Sequence, residues 1–343
     1  MGPGCLIVLL FLLIFCSQWR YFLRKVLLTS LIVLGIVIVA AVAWLMTAGA
    51  DRTEATATRQ VVDATGTSVE IPLHPRRVVF LNVSNLDLYD AAGGRDTVVG
   101  KPTSDSMSPE LAAAMADIPA VGIIHRPNME TILSLHPDLV VGINVPFHNQ
   151  IRQTLAQNGI PLYINSLDSL EDSLKTLKFF GELTGHEQEA AERAADIKQR
   201  ADAVVAKAAG KESSRALILF SSPDSNNMAT AASFSGDLLS RLHGVNIADT
   251  ADGSHEPFVP LSMEYVLRQD PQVIFIISMG QSQGEAERFK ASMADSDSWN
   301  KVQAVRQGRV YELPTALFTV NPGSRIADAM EYMADCLYGG GAQ

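Results

Sequence analysis

The chain has 343 residues, 47% hydrophobic and 19% charged, which is long and apolar enough for two domains with separate cores and too apolar for a disordered chain. A formal charge of −10, from 27 Lys and Arg against 37 Asp and Glu, leaves no general basic footprint for nucleic acid. Of the three cysteines only Cys336 lies beyond the first apolar stretch, which excludes an internal disulfide, a CxxC redox pair and a Cys-rich zinc site in the body of the chain.

Residues 1–50 hold no Asp or Glu, and their only cations are Arg20, Arg24 and Lys25. The apolar run 5–16 is short for a bilayer span, whereas 26–46 has the roughly 20 residues one requires. The basic patch between the runs is expected to stay in the cytoplasm and send the body outward. Ala48-Gly49-Ala50 has the A-x-A pattern of a signal-peptidase site, so residues 1–50 read as a cleaved signal peptide or an uncleaved anchor. A start near Leu23 would give an ordinary signal peptide. Phe15, where a lipobox needs a small residue, argues against lipidation at Cys16.

Past the head, β-branched runs alternate with helical stretches. Residues 78–83 read as a strand, 86–92 as a helix and 97–100 as a short strand. Residues 108–115 read as a helix with Ser108 as cap and Pro109 in its first turn. After Val121-Gly122 comes a loop, then a helix over 129–136, a break at Pro137-Asp138, a buried strand over 139–143, a helix over 147–158 and a strand over 161–164. Residues 169–209 are strongly helical, broken only by Gly181 and Gly185. At 1.5 Å per residue, the second half of this segment would span roughly 30 Å and act as a rigid connector. The alternation resumes with a strand at 215–220, helices at 237–243 and 263–269 and a strand at 273–277, and a helix over 322–337 closes the chain. This order predicts parallel α/β layers.

An internal repeat ties the two halves together. Met129-Glu130-Thr131-Ile132-Leu133 leads through Pro137 into Leu139-Val140-Val141-Gly142-Ile143. Met263-Glu264-Tyr265-Val266-Leu267 leads through Pro271 into Val273-Ile274-Phe275-Ile276-Ile277 at the same offsets. Similar lobes are expected. There is no G-x-S-x-G, P-loop or H-E-x-x-H motif, and the 7 histidines show no metal-ligand spacing. In parallel α/β lobes ligands bind beyond the carboxyl ends of strands. The loops expected there are 82–85, 101–106, 123–128, 144–148, 221–227 and 278–282. The large groups near them are Tyr163, Phe147, His148, His125, His255, Phe258, Met279 and Phe318, a set suited to a flat, partly apolar ligand.

Four motifs together carry a resemblance. They are Pro75-Arg76-Arg77-Val78-Val79, Asp96-Thr97-Val98-Val99-Gly100, the segment from Met129-Glu130 through Pro137-Asp138-Leu139-Val140, and Trp299-x-x-Val302-x-Ala304-Val305-x-x-Gly308-Arg309-Val310-Tyr311. Over residues 60–340 the chain resembles the class III substrate-binding proteins of ABC importers, which take Fe(III)-siderophores, haem or cobalamin. The resemblance implies an α/β fold of two Rossmann-like lobes joined by a single long helix, with the ligand in the cleft between them. The corresponding division is 1–50 for the signal or anchor, 51–168 for the N-terminal lobe, 169–210 for the connecting helices and 211–343 for the C-terminal lobe. It further implies a monomeric, non-enzymatic protein in the periplasm or on the outer face of the cytoplasmic membrane. Its partners would be an ABC permease with its ATPase and a small iron or corrinoid complex, carried as cargo and not as a catalytic cofactor.

In that family one Glu on each lobe docks onto the permease, and the two map onto Glu130 and Glu264. A first-turn Glu behind the caps Asn128 and Ser262 is also good helix chemistry, but helix chemistry does not explain the matched places in two lobes. The segment Gly122-Ile123-Ile124-His125-Arg126-Pro127-Asn128 resembles the haem branch. His125 stands where a side chain reaches the iron, and Met279 stands where the second lobe can supply the other axial ligand. Siderophore and cobalamin stay open as cargo, with Arg126 and Arg325 available to an anionic siderophore. Of other classes, a metallocluster enzyme on two such lobes would need cysteines that the body lacks, whereas a membrane-tethered sensor would keep residues 26–46 uncleaved.

Overall fold

The computed structural model of the chain describes residues 57–221, 225–250, 256–278, 290–293 and 295–339. The expected signal or anchor, His255 and Met279 lie outside the described residues. Among the described residues no helix is long and apolar enough to cross a membrane. The chain falls into two compact units, Met1–Ala57 and Thr58–Gln343, and both sheets of the α/β fold belong to the second.

The second unit opens with an antiparallel hairpin, β1 Thr58–Val62 and β2 Ser68–Pro72. The first lobe then builds a four-stranded parallel sheet in the order β4-β3-β7-β8, from β3 Val78–Phe80, β4 Val98–Gly100, β7 Leu139–Ile143 and β8 Leu162–Asn165. A two-stranded hairpin, β5 Gly122–Ile123 and β6 Arg126–Pro127, stands apart from it. The helices of this lobe are α1 Val83–Ala91, α2 Pro109–Ala114, α3 Met129–Ser134 and α4 Pro146–Gln157. The strand expected over 78–83 stops at Phe80. Asn85 Nδ2 donates to Asn82 Oδ1 at 2.8 Å, which pins the chain into the first turn of α1 three residues early.

The second lobe holds a six-stranded mixed sheet, with the order β12-β10-β9-β13-β14 and β11 beside β9. Its strands are β9 Arg215–Ser221, β10 Asn226–Ala229, β11 Val245–Asn246, β12 Phe258–Pro260, β13 Val273–Ser278 and β14 Val310–Glu312. Strands β9, β13 and β14 run parallel, while β10 and β12 add an antiparallel edge. The lobe's helices are α7 Phe234–Arg241, α8 Met263–Gln269, α9 Gln303–Arg306, α10 Thr315–Phe318 and α11 Ile326–Tyr338, the numbers α5 and α6 falling to the connecting helices Leu170–Thr184 and Glu187–Ala208.

The repeat is structural. Asn128 Oδ1 accepts from Thr131 N–H and Ser262 Oγ from Tyr265 N–H, so α3 and α8 start on matched caps. Each helix ends at a residue with positive φ before its proline, His136 at 47° and Asp270 at 42°. An arginine then closes each C-terminus. Arg77 Nε donates to the carbonyls of Leu135 and His136, and Arg215 donates to those of Gln269 and Asp270.

Period-two alternation sorts the strand residues. Val78 and Phe80 of β3, Leu139 and Val141 of β7, Ile218 of β9 and Phe275 of β13 share one continuous core with the connecting helices. Their neighbours face outward into two separate clusters, Val79 and Val140 under α3 and α4, and Leu219 and Ile276 under α8. Strands buried on both faces are what parallel sheets require.

The long helix of the connector is α6, with 22 residues, and it is preceded by the 15-residue α5. The break between them falls at Gly185, a left-handed C-cap with φ 73°. Gly181 breaks nothing. It lies inside α5, where an added Cβ would stand 2.5 Å from Ala190 Cβ of α6, so its missing side chain lets the two helices approach. Phe180 packs edge-on against Phe80 and Tyr89 of the first lobe. At its other end α5 donates Leu170 N–H to Asp237 of α7, while Arg200 of α6 pairs with Asp328 of α11 at 2.5 Å. The connector therefore grips both lobes.

The lobes also meet directly. Asp87 of α1 accepts the Ser324 N–H at 2.6 Å, and a Cβ on Gly323 would stand 2.3 Å from Asp87 Oδ2. Burial raises the Asp87 carboxyl above its ordinary range, opposed by the Ser324 hydrogen bonds and Arg325. Asn321 Nδ2 donates to Leu167 O and to Ser173 Oγ of α5.

Candidate functional site

A cavity of about 340 Å³ opens between the lobes at the carboxyl ends of the strands. Its wall from the first lobe is Leu81, Asn82 and Val83 after β3, Pro102–Ser106 after β4, and Ile123, Ile124 and His125 of the β5–β6 hairpin. The second lobe contributes Ser278 at the end of β13 and Thr315, Thr319 and Val320 around α10. Four of the six loops expected beyond strand ends thus reach the cavity. In the Thr315–Val320 wall the segment around Phe318, expected near the site, does reach the cavity, but through Thr315, Thr319 and Val320, with Phe318 itself buried.

His125 sits at the tip of a tight hairpin. Gly122, at φ 100°, allows the turn, because a Cβ there would stand 2.4 Å from Arg126 O. The imidazole is exposed and meets the Phe147 ring edge-on at 5.2 Å. His148 behaves differently. It is fully buried on α4, and its Nδ1 accepts the Ile143 N–H at 3.1 Å. Burial drives its pKa down to about 4, against the partial offset of backbone hydrogen bonding, so the ring is neutral at pH 7.

The remaining aromatic groups separate from the cavity. Tyr163 packs on Phe179 at 4.9 Å, Phe258 on Phe220 at 4.9 Å, and Phe318 is buried against Tyr332. Arg126 is exposed on β6, and Arg325 donates to Ala316 O at the lobe junction, so neither lines the cavity. Buried amides were the group sequence reasoning passed over. Asn85 donates to Asn82 Oδ1 and Asn165 Oδ1, and Asn165 donates to Asn85 Oδ1 and Thr176 Oγ1, which makes a polar floor behind the cavity. The spacing of Asn82 and Asn85, one helical turn apart after an apolar strand, was the available signal.

Glu130 and Glu264 are both exposed in the first turns of their helices. Glu264 borders a smaller hollow of about 270 Å³ with Met228, Val259, Pro260, Ser262, Tyr265 and Arg268. Among the described residues no three His, Cys, Asp or Glu side chains converge to cage a bare metal ion.

The sequence model of the family described as "Periplasmic binding protein" matches residues 78–317. The high-affinity heme uptake system protein IsdE of Staphylococcus aureus is 26% identical over 244 residues, 70% of this chain and 80% of that protein. In fold the chain is similar to the crystal structure of S. aureus IsdE complexed with heme, with a TM-score of 0.68 and 24% identity over 76% of this chain and 98% of the other. It is likewise similar to the vitamin B12 binding protein BtuF of Vibrio cholerae, with a TM-score of 0.64 and 23% identity over 79% of this chain and all of the other.

Proposed function

The chain belongs to the periplasmic binding protein family, and on that premise we propose that this ABC-importer substrate-binding protein captures haem outside the cytoplasm and hands it to a permease. The observation that carries the reading is the exposed His125 on the wall of an inter-lobe cavity otherwise made largely of apolar and small polar groups. Haem brings its own iron and four equatorial nitrogens, so the protein has only to offer axial donors and an apolar slot. His125 offers an imidazole from the first lobe. Met279, next in sequence after Ser278 of β13, is the proposed thioether from the second. Such capture exchanges ligands on the iron and leaves the covalent bonds of the cargo intact, so the protein is read as a carrier and not an enzyme.

Delivery requires a fixed orientation on the permease. Glu130 and Glu264, exposed on matched helix starts, are the proposed docking carboxylates, suited to bidentate pairing with arginines. Residues 26–46 are the proposed export signal or tether holding the protein at the outer face of the membrane.

Titrating the purified protein with haemin tests the cargo. A low-spin spectrum with a shifted Soret band is expected. His125→Ala should weaken binding about tenfold or more, and Met279→Ala less, because thioether is the weaker donor to ferric iron. A His125→Ala spectrum identical to the parent's would remove His125 from the site and shift the reading to a siderophore or cobalamin.

A further inference from the structure

The hairpin that carries His125 leans on the first turn of α4. Phe147 is 41% exposed, with its ring edge-on to the His125 imidazole, and the next residue, His148, is fully buried. Two consecutive side chains of one helix therefore serve the same turn, one from outside and one from beneath.

The chain makes room for the His148 ring. A Cβ on Gly142 of β7 would stand 2.9 Å from His148 Nδ1. That nitrogen accepts the Ile143 N–H, so the single proton of the neutral ring is on Nε2. Nε2 is buried and has no partner in bonding geometry, and a buried donor is rarely left unpaired. The Ile124 backbone raises the proton affinity of the ring and the His125 charge lowers it, so both residues flank His148. They form the turn between β5 and β6, with His125 exposed. A small settling of that turn brings the Ile124 carbonyl onto Nε2–H.

We propose that His148 is a positioning residue for cargo capture, its Nε2–H donating to the Ile124 carbonyl and so, with the Phe147 ring, holding the His125 imidazole at the cavity wall. His148 does not line the cavity and acts only through His125. The assignment rests on His125 being an axial donor to haem, and it adds the groups that aim the donor. A donor held in place before capture binds more tightly, because less freedom is lost on binding.

His148→Asn and His148→Gln separate the two ring nitrogens. Asn offers an acceptor near the place of Nδ1 and no donor at Nε2, whereas Gln reaches the place of Nε2 with an amide N–H. His148→Asn should weaken haemin binding about tenfold and raise the high-spin share of the spectrum, and His148→Gln should recover most of both. A role in packing alone, or in the Ile143 bond alone, predicts no advantage for Gln. Phe147→Ala should weaken binding about threefold. In a His125→Ala background neither His148→Asn nor Phe147→Ala should cost anything further. Thermal unfolding checks the fold, and Phe147→Ala, at an exposed site, decides if His148→Asn does not fold. Equal affinities and spectra for His148→Asn and His148→Gln, or losses that persist without His125, overturn the positioning role and leave the haem reading standing. If the parent binds no haemin, the haem reading falls, and amide hydrogen exchange at Ile124, His125 and Arg126 in the cargo-free protein decides. Faster exchange in His148→Asn than in the parent and His148→Gln upholds the positioning role, and equal exchange overturns it.

Discussion

His148 shows how one buried ring couples stability to acid. Its pKa of about 4 in the folded protein lies below the roughly 6.5 of an exposed imidazole, with burial as the largest cause. Between those values the unfolded chain binds a proton that the native state refuses. Stability is therefore intact above pH 6.5 and falls as the pH drops toward 4, by on the order of 3 kcal/mol for this residue. Urea unfolding of the parent and of His148→Gln at pH 7 and pH 4.5 measures it. The variant should lose distinctly less stability between the two pH values, and parallel losses would show that other groups carry the acid sensitivity. The sequence could name His125 and His148 but could not separate their burial, because a lone histidine after an apolar residue, Ile124 or Phe147, reads the same exposed or buried. The spacing of His148, Ile151 and Leu155 along one face of α4 was the legible clue to the buried one. Asn82 and Ser278 stood within the loops expected to bind ligand, yet only three-dimensional packing shows which of their atoms lack a partner.

Elements formed where the code was local. Ser108 caps α2, Pro137 and Pro271 end the repeat helices, and β7 and β13 follow as buried strands. What stayed hidden was imposed by distant partners. β10, Asn226-Asn227-Met228-Ala229, has no β-branched residue and is a strand because β9 and β12 supply its hydrogen bonds. Gly181 was misleading for the same reason, since only the position of α6 reveals why it is glycine. Gly181→Ala should gain about 1 kcal/mol in helix propensity and lose about 1–3 kcal/mol to crowding against Ala190. A net loss is expected, read as a lower urea midpoint at unchanged slope, and Ala190→Gly in the same chain should restore part of it. A Gly181→Ala protein more stable than the parent would mean that the helix pair separates freely.

For the whole molecule, the proposed docking role makes the matched helices α3 and α8 matter as a pair, because a carrier must present both lobes to its permease together. Glu130→Lys with Glu264→Lys should abolish uptake in cells while haemin affinity stays within about twofold, since first-turn charges contribute only about 0.3–1 kcal/mol to the fold. Transport at the parental rate would end the docking assignment. The two-lobed plan was legible from the repeat, whereas the direct contact of the lobes was not. Asp87 and Gly323 lie far apart in sequence, and nothing in Asn321-Pro322-Gly323-Ser324 announces a partner. That contact also dictates an order of events during synthesis. The first sheet is complete by Asn165 and the main chain passes to the second sheet once, so an emerging chain can build its first half before the second exists. Asn321, Gly323 and Ser324 come out almost last, and they latch the second half onto Leu167, Ser173 and Asp87. A chain cut short by some twenty-five residues would have both sheets but neither the latch nor α11, whose Ile326, Met330, Met333 and Leu337 belong to the shared core, leaving a truncated product recognisable to quality-control proteases by an open seam and a bared core.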